Sequence, residues 1–106
     1  MKPVDVELHD AAIESASIDY ARKTVSLLVA YYPNAVTSSK RVPAKITFSG
    51  VERMSGITDF SELANNRTAG NISYWHPAIG AGTTYIYLSG GLFSVTAKSV
   101  KFSVEA

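Results

Sequence analysis

Polar and apolar residues alternate with a period of two along most of the chain, as they do in strands with one wet face. Ala16, Ile18 and Tyr20 alternate with Ser15, Ser17 and Asp19. After a short polar link, Ala21-Arg22-Lys23, the residues Val25, Leu27, Val29 and Tyr31 alternate with Thr24, Ser26, Leu28, Ala30 and Tyr32. Two such runs joined by a few polar residues predict a β-hairpin. The second run is apolar on both faces from Leu27 to Ala30. That predicts an interior strand covered on both sides. Pro33 ends it, because proline has no N–H for a ladder and restricts the residue before it.

Asn34 to Arg41 reads as a polar loop, the segment expected to be most mobile. Lys45 to Gly50 alternates through Ile46 and Phe48, runs on toward Met54, and is broken by Gly56. Val25, Leu27, Val29, Ile46 and Phe48 are the expected centre of the core. Asp59 to Asn66 carries the one helical signal: Thr58 or Asp59 as cap, Glu62 in the first turn, and Phe60, Leu63 and Ala64 on one face. Asn71 to His76 reads as a strand and Pro77 to Gly82 as a loop. Thr83 to Leu88 and Leu92 to Ala97 form a hairpin across Ser89-Gly90-Gly91. Phe93, Val95 and Ala97 are odd positions whereas Val100, Phe102 and Val104 are even, so the phase slips near Lys98-Ser99 through a bulge or short turn. The expected fold is mostly β, α+β at the margin. It is an antiparallel sheet of about seven or eight strands, arranged as a sandwich or partial barrel with one short helix.

Length and composition narrow this further. The chain has 106 residues, 46% hydrophobic and 18% charged. That is one β-rich domain over 1–106, large enough for a core without staples; its folded surface should be roughly 5,800 Å². A net charge of +1 does not suit a protein that must neutralise several phosphates, so no nucleic-acid partner is expected. Residues 1–20 are mostly acidic and 21–53 mostly basic, which suggests neighbouring strands with facing opposite charges. There is no cysteine, which removes disulfides, thiolate nucleophiles and cysteine-type zinc sites. The N-terminal MKPVDVELHD has no apolar signal region and no stretch is long enough to span a membrane, so a cytoplasmic location is expected. Asn66-Arg67-Thr68 and Asn71-Ile72-Ser73 match the glycosylation sequon; without a signal, these asparagines read as turn residues.

Little in the chain carries chemistry. His9 and Asp10 are adjacent, and a strand would point them to opposite faces, so they can act together only where the chain turns. Asp10-Ala11-Ala12-Ile13 does resemble a turn with Asp10 as its cap, which makes the structural role the stronger reading. His76 stands in Tyr74-Trp75-His76-Pro77, and the two histidines lack any metal-ligand spacing; no metal and no cofactor are expected. There is no G-x-S-x-G, and Gly80-Ala81-Gly82 lacks the remainder of a phosphate-binding loop. The aromatic residues Tyr31, Tyr32, Tyr74, Trp75, Tyr85 and Tyr87 include two adjacent pairs, so some must point away from the core. Core packing is the first account of them and a partner surface the second. Tyr32, Tyr74, Trp75 and His76 are the candidate partner-binding residues.

Three segments carry a resemblance. They are Leu8-His9-Asp10-Ala11 with Ile18-Asp19-Tyr20 and Lys23-Thr24-Val25; Ile46-Thr47-Phe48-Ser49-Gly50-Val51; and LSGGLFSVTAKSVKF from Leu88 to Phe102. With these the chain resembles a small uncharacterised bacterial β-rich domain family in which an LHD corner opens a long hairpin. It is also similar to some immunity proteins of polymorphic toxin systems. The resemblance spans most of the chain except 55–82 and implies no catalytic residues. The expected function is a non-enzymatic interaction module, for example an immunity-type protein that binds a partner protein. The alternatives are a small metal-using or hydrolytic enzyme built on His9, Asp10 and His76, or a structural subunit that self-associates as a homo-oligomer.

Overall fold

Among the described residues the alternation becomes eight strands: β1 (Ala12–Asp19), β2 (Thr24–Tyr31), β3 (Val42–Ser49), β4 (Arg53–Ile57), β5 (Ile72–His76), β6 (Gly82–Leu88), β7 (Gly91–Ala97) and β8 (Ser99–Val104). A short helix, α1 (Phe60–Asn65), lies between β4 and β5, and a single 3-10 turn spans Pro3–Asp5. The computed structural model describes residues 1–34, 37, 39–66 and 70–105; positions 35, 36 and 38 of the polar loop lie outside the described residues. The strands form two antiparallel four-stranded sheets, ordered β1-β2-β3-β8 and β4-β7-β6-β5. This is a β-sandwich with one short helix. The second sheet is a Greek key: β5, β6 and β7 follow one another, and β4 reaches its place beside β7 through the long connection that carries α1.

Period-two patterning sets the inner layer of the sandwich. Val25, Leu27 and Val29 of β2 stand opposite Phe48, Ile46 and Ala44 of β3, and Ile46 stands opposite Phe102 of β8. Val25, Leu27, Val29, Ile46 and Phe48 are all at most 2% exposed, so the expected centre of the core is the observed one. The second sheet supplies Ile72, Trp75, Ile86, Leu88, Phe93 and Val95 to the same cluster. Fully burying a side chain of this size contributes about 1.5–3 kcal/mol, which makes this layer the main source of stability.

Three sequence-based expectations need correction, and a fourth is decided between its alternatives. β2 is an interior strand, but its outer face is not covered: Leu28 is 37% exposed and stands beside Lys45. Gly56 does not end a strand. It lies within β4, where an added Cβ would collide with the Leu92 carbonyl oxygen, so a missing side chain lets two backbones approach. Of the two alternatives at Lys98, the slip is the short turn and not the bulge, and it is the corner at which the chain passes from β7 to β8 in the other sheet. The Lys98 N–H donates to the Ser49 and Gly50 carbonyls (3.0 and 3.2 Å). Phe93, Val95 and Phe102 therefore share one core as expected, while Val104, in phase with them opposite Ala44, remains 50% exposed at the end of its strand. Finally, β2 carries no charge, so the acidic and basic segments do not face each other along the first hairpin. They meet locally, at Asp19 and Arg22 (3.9 Å) and where Arg41 reaches the Asp10 backbone.

Candidate functional site

The Leu8-His9-Asp10-Ala11 corner is a β-turn, closed by the Ala11 N–H on the Leu8 carbonyl (2.9 Å). Asp10 has φ 64° and His9 does not share the left-handed conformation, the pattern of a type II turn with Asp10 at its third position. Asp10 therefore serves as a left-handed turn residue and not as a helix cap. Leu8 drops into the core, fully buried, while the turn lies against the start of β5. The Asp10 N–H donates to the Ile72 carbonyl (3.0 Å), and the Asn71 and Ile72 N–H groups donate to the Ala11 carbonyl (3.0 and 2.9 Å). Gly70, at φ 103°, leaves room for the Asp10 carbonyl that any Cβ would strike.

This turn brings His9 and Asp10 together, contrary to the expectation for a strand: His9 Nε2 lies 3.4 Å from Asp10 Oδ2. His9 Nδ1 lies 2.8 Å from the Ser73 carbonyl oxygen, which accepts its proton. Both ring nitrogens thus face acceptors, and that favours the imidazolium. The Ser73 carbonyl is the main cause of a raised His9 pKa, and Asp10 adds to it. A general base needs the reverse, a neutral ring with one nitrogen free to accept. On the outer side of the turn, Arg41 Nε donates to the Asp10 carbonyl (3.1 Å), and its guanidinium lies 5.1 Å from the centre of the Tyr32 ring. Tyr32, Arg41, Asp10, His9 and Ser73 form one connected rim.

Beyond Ser73 the rim passes into an aromatic sheet face. A bulge at Ser73 shifts the register of β5 on β6, so Ile72 and Trp75 both point inward although they are three positions apart. Trp75 is 7% exposed and its indole N–H donates to the Val6 carbonyl (2.8 Å), so this candidate belongs to the core and offers no side chain to a partner. Tyr74 and His76 face outward. Tyr74 stacks on Tyr87 across the strand pair, with ring centres 4.4 Å apart and planes 13° from parallel. Partial burial raises the Tyr87 phenol pKa, and Tyr74 adds to the shift. Tyr87 stands opposite Leu92, and Leu92 opposite Ile57. Tyr74, Tyr87, Leu92 and Ile57 therefore form a row across all four strands, and Ile57, Tyr74 and Leu92 are 69%, 46% and 37% exposed. The next row is His76, Tyr85, Ser94 and Ser55.

The outer face of the first sheet is different. Its rows are Ser15, Leu28, Lys45 and Ser103, then Ser17, Ser26, Thr47 and Lys101. One face of the sandwich is hydroxylic and basic, the other aromatic and apolar. Sequence reasoning chose Tyr74, His76 and Tyr32 as candidates, named Tyr87 among the aromatic residues without choosing it, and passed over Leu92 and Ile57. The period-two phase of β6 and β7 was enough to place Tyr87 and Leu92 outward. Ile57 was hidden by the assignment of Gly56 as a break.

Among the described residues no three His, Cys, Asp or Glu side chains converge as a metal site. His76 sits three residues past Ser73 on β5, about 10 Å of strand from the carbonyl that holds His9, and its ring is set against Tyr74. Among the described residues no helix is long and apolar enough to cross a membrane. No family model, curated protein or solved structure matches the chain.

Proposed function

We propose that the protein is a non-enzymatic protein-binding module of the immunity type, which covers part of a partner protein with the aromatic face of its second sheet. The observation that carries this reading is the exposed row Tyr74–Tyr87–Leu92–Ile57, continued by Tyr85 and His76. Contiguous exposed apolar surface rimmed by polar groups marks interaction sites, and tyrosine is enriched among their energetic centres. The rim of His9, Asp10, Arg41 and Tyr32 adds fixed charge beside the apolar row, which suits orientation of a partner more than chemistry. The reading of His9, Asp10 and His76 as a catalytic set has no such support, because both His9 nitrogens already face acceptors.

The test is affinity capture from the native cell with the parent and with a Tyr74→Ser, Leu92→Ser double variant, followed by calorimetric titration of the captured protein. Neither substitution touches the inner layer. The expected result is one specific partner whose affinity falls by at least about 100-fold in the variant, with thermal stability preserved. A partner held equally well by both proteins would place the contact surface elsewhere.

A further inference from the structure

Three of the four sheet edges are blunted. The Pro3–Asp5 turn packs against β8, which also carries Lys101. The bulge at Ser73 interrupts β5, and His9 occupies the carbonyl of that residue. β4 is five residues long with Arg53 at its start and Gly56 within it. β1 is eight residues long; it carries the same kind of one-residue bulge, at Glu14, but near its start, and from Ser15 to Asp19 it pairs regularly with β2. This stretch has no proline, lysine or bulge, and its charge lies at the end, on Asp19. Such an edge is a template for another strand.

The inner side of the same stretch is unfinished. Ala16 and Ile18 stand opposite Leu27 and Val25, in phase with the core, yet both are exposed, Ile18 by 40%. They line an open groove of about 680 Å³ whose other walls are Met54, Phe93 and the α1 residues Phe60 and Leu63.

We infer that β1 pairs antiparallel with β1 of a second copy of this chain, in a register centred on Ser17, which joins the two first sheets into one across a two-fold axis. The strand is self-complementary in that register. Ser17 meets its own copy, Ala16 meets Ile18 so that small faces large on the groove side, and Ser15 meets Asp19 so that a hydroxyl faces a carboxylate. No acid faces an acid, because Glu14 falls opposite Tyr20. Centring on Ala16 draws Glu14 and its irregular backbone into the pairing opposite Ile18, and centring on Ile18 runs past the strand end. Five paired residues with exposed Tyr20 and Phe60, each offering roughly 150–200 Å², fall short of the roughly 800 Å² per partner of a standard interface. The dimer is therefore weak and concentration-dependent. It does not use the aromatic face proposed for a foreign partner.

The absence of native cysteine makes the register testable. Sedimentation of the parent from about 10 µM to about 1 mM should show reversible dimerisation. Under mild oxidation Ser17→Cys should form a symmetric intermolecular disulfide. Ser15→Cys mixed with Asp19→Cys should cross-link to each other in preference to themselves. Ser26→Cys, one strand further in on the same outer face, should stay monomeric. A parent that remains a monomer across the range, cross-linking at Ser26 as readily as at Ser17, or a dimer trapped through Leu92→Cys and not through Ser17→Cys would each overturn the inference. The Ser17→Cys change is small and on an outer face, so retained thermal stability separates a failed register from a failed fold.

Discussion

Asn71→Ala tests how the two sheets are tied at the corner. Asn71 is fully buried, and its side chain works in two directions. Oδ1 accepts the Ile13 N–H at 2.7 Å, next to the irregular start of β1, and Nδ2 donates to the Leu63 carbonyl at the end of α1 at 3.0 Å. Its backbone joins the turn at Ala11 and accepts the Ser89 N–H of the β6–β7 hairpin. Alanine keeps the backbone bonds and loses the other two. The buried Ile13 N–H is then left without a partner, which costs about 1–3 kcal/mol. The Leu63 carbonyl is closer to water and forfeits about 0.5–1.5 kcal/mol. The sum, about 2–4 kcal/mol, is a large part of the 5–15 kcal/mol expected for a domain of this size, and should lower Tm by roughly 10–30 °C.

Circular dichroism during heating, with urea unfolding for the slope, measures this directly. Asn71→Asp sharpens the test. It retains an acceptor for Ile13 but sets a carboxylate against the Leu63 carbonyl, so burial and that acceptor raise the folded-state pKa of the new carboxyl above its unfolded value. The linked stability is then present below the unfolded value and lost as pH rises through the folded one. Relative to the parent at the same pH, this variant should recover on acidification and the alanine variant should not. An alanine variant within about 0.5 kcal/mol of the parent, at unchanged urea slope, would show that Ile13 finds another partner and that Asn71 does not tie the corner.

Leu27→Ala should cost about 2–5 kcal/mol and its neighbour Leu28→Ala less than about 1 kcal/mol, because the first empties the sealed core and the second trims a half-wet outer face; equal losses in urea unfolding would contradict the orientation of β2. Asp10→Gly should stay within about 1 kcal/mol of the parent while Asp10→Val loses about 2 kcal/mol or more, since φ 64° is easy for glycine and strained for a β-branched residue; the opposite order would refute the turn. An NMR titration should place the His9 midpoint above 6.5, and Asp10→Asn should lower it only in part, because the Ser73 carbonyl is the larger cause. The linked stability is present below pH 6.5 and lost as pH rises through the folded-state midpoint, so His9→Gln should flatten that part of the stability profile; a His9 midpoint below 6.5 would exclude the Ser73 contact.

What the sequence made legible is what a period of two encodes. The strands of the inner layer, the β6–β7 hairpin and the centre of the core follow from side chains that alternate between water and hydrocarbon. What stayed hidden depends on backbone meeting backbone across long stretches of sequence. Gly56 looks like a break until Leu92 is seen against it. Asn71 looks like a turn residue until Ile13 and Leu63 are seen on either side of its amide. Tyr74 and Trp75 must face opposite ways, but which one enters the core is decided by the bulge at Ser73, and a bulge leaves no mark in hydropathy. Of the candidate site, Tyr32, Tyr74 and His76 were readable as aromatic or polar residues at outward positions. Arg41 was not, because its place over Tyr32 and against the Asp10 carbonyl comes from tertiary closure of the corner.

The same corner shows what Leu8, His9 and Asp10 do for the shape of the molecule. Leu8 is core, fully buried. His9 gives a ring proton to the strand carbonyl exposed by the β5 bulge. Asp10 takes the left-handed turn position, donates its N–H to Ile72 and offers its carbonyl to Arg41. Each of the three residues has a part in fastening the first hairpin to the second sheet. The joint places no demand on the outer face of the second sheet or on the β1 edge. There Tyr74, Leu92, Ile57 and Ile18 remain exposed although core packing alone does not require them to be apolar.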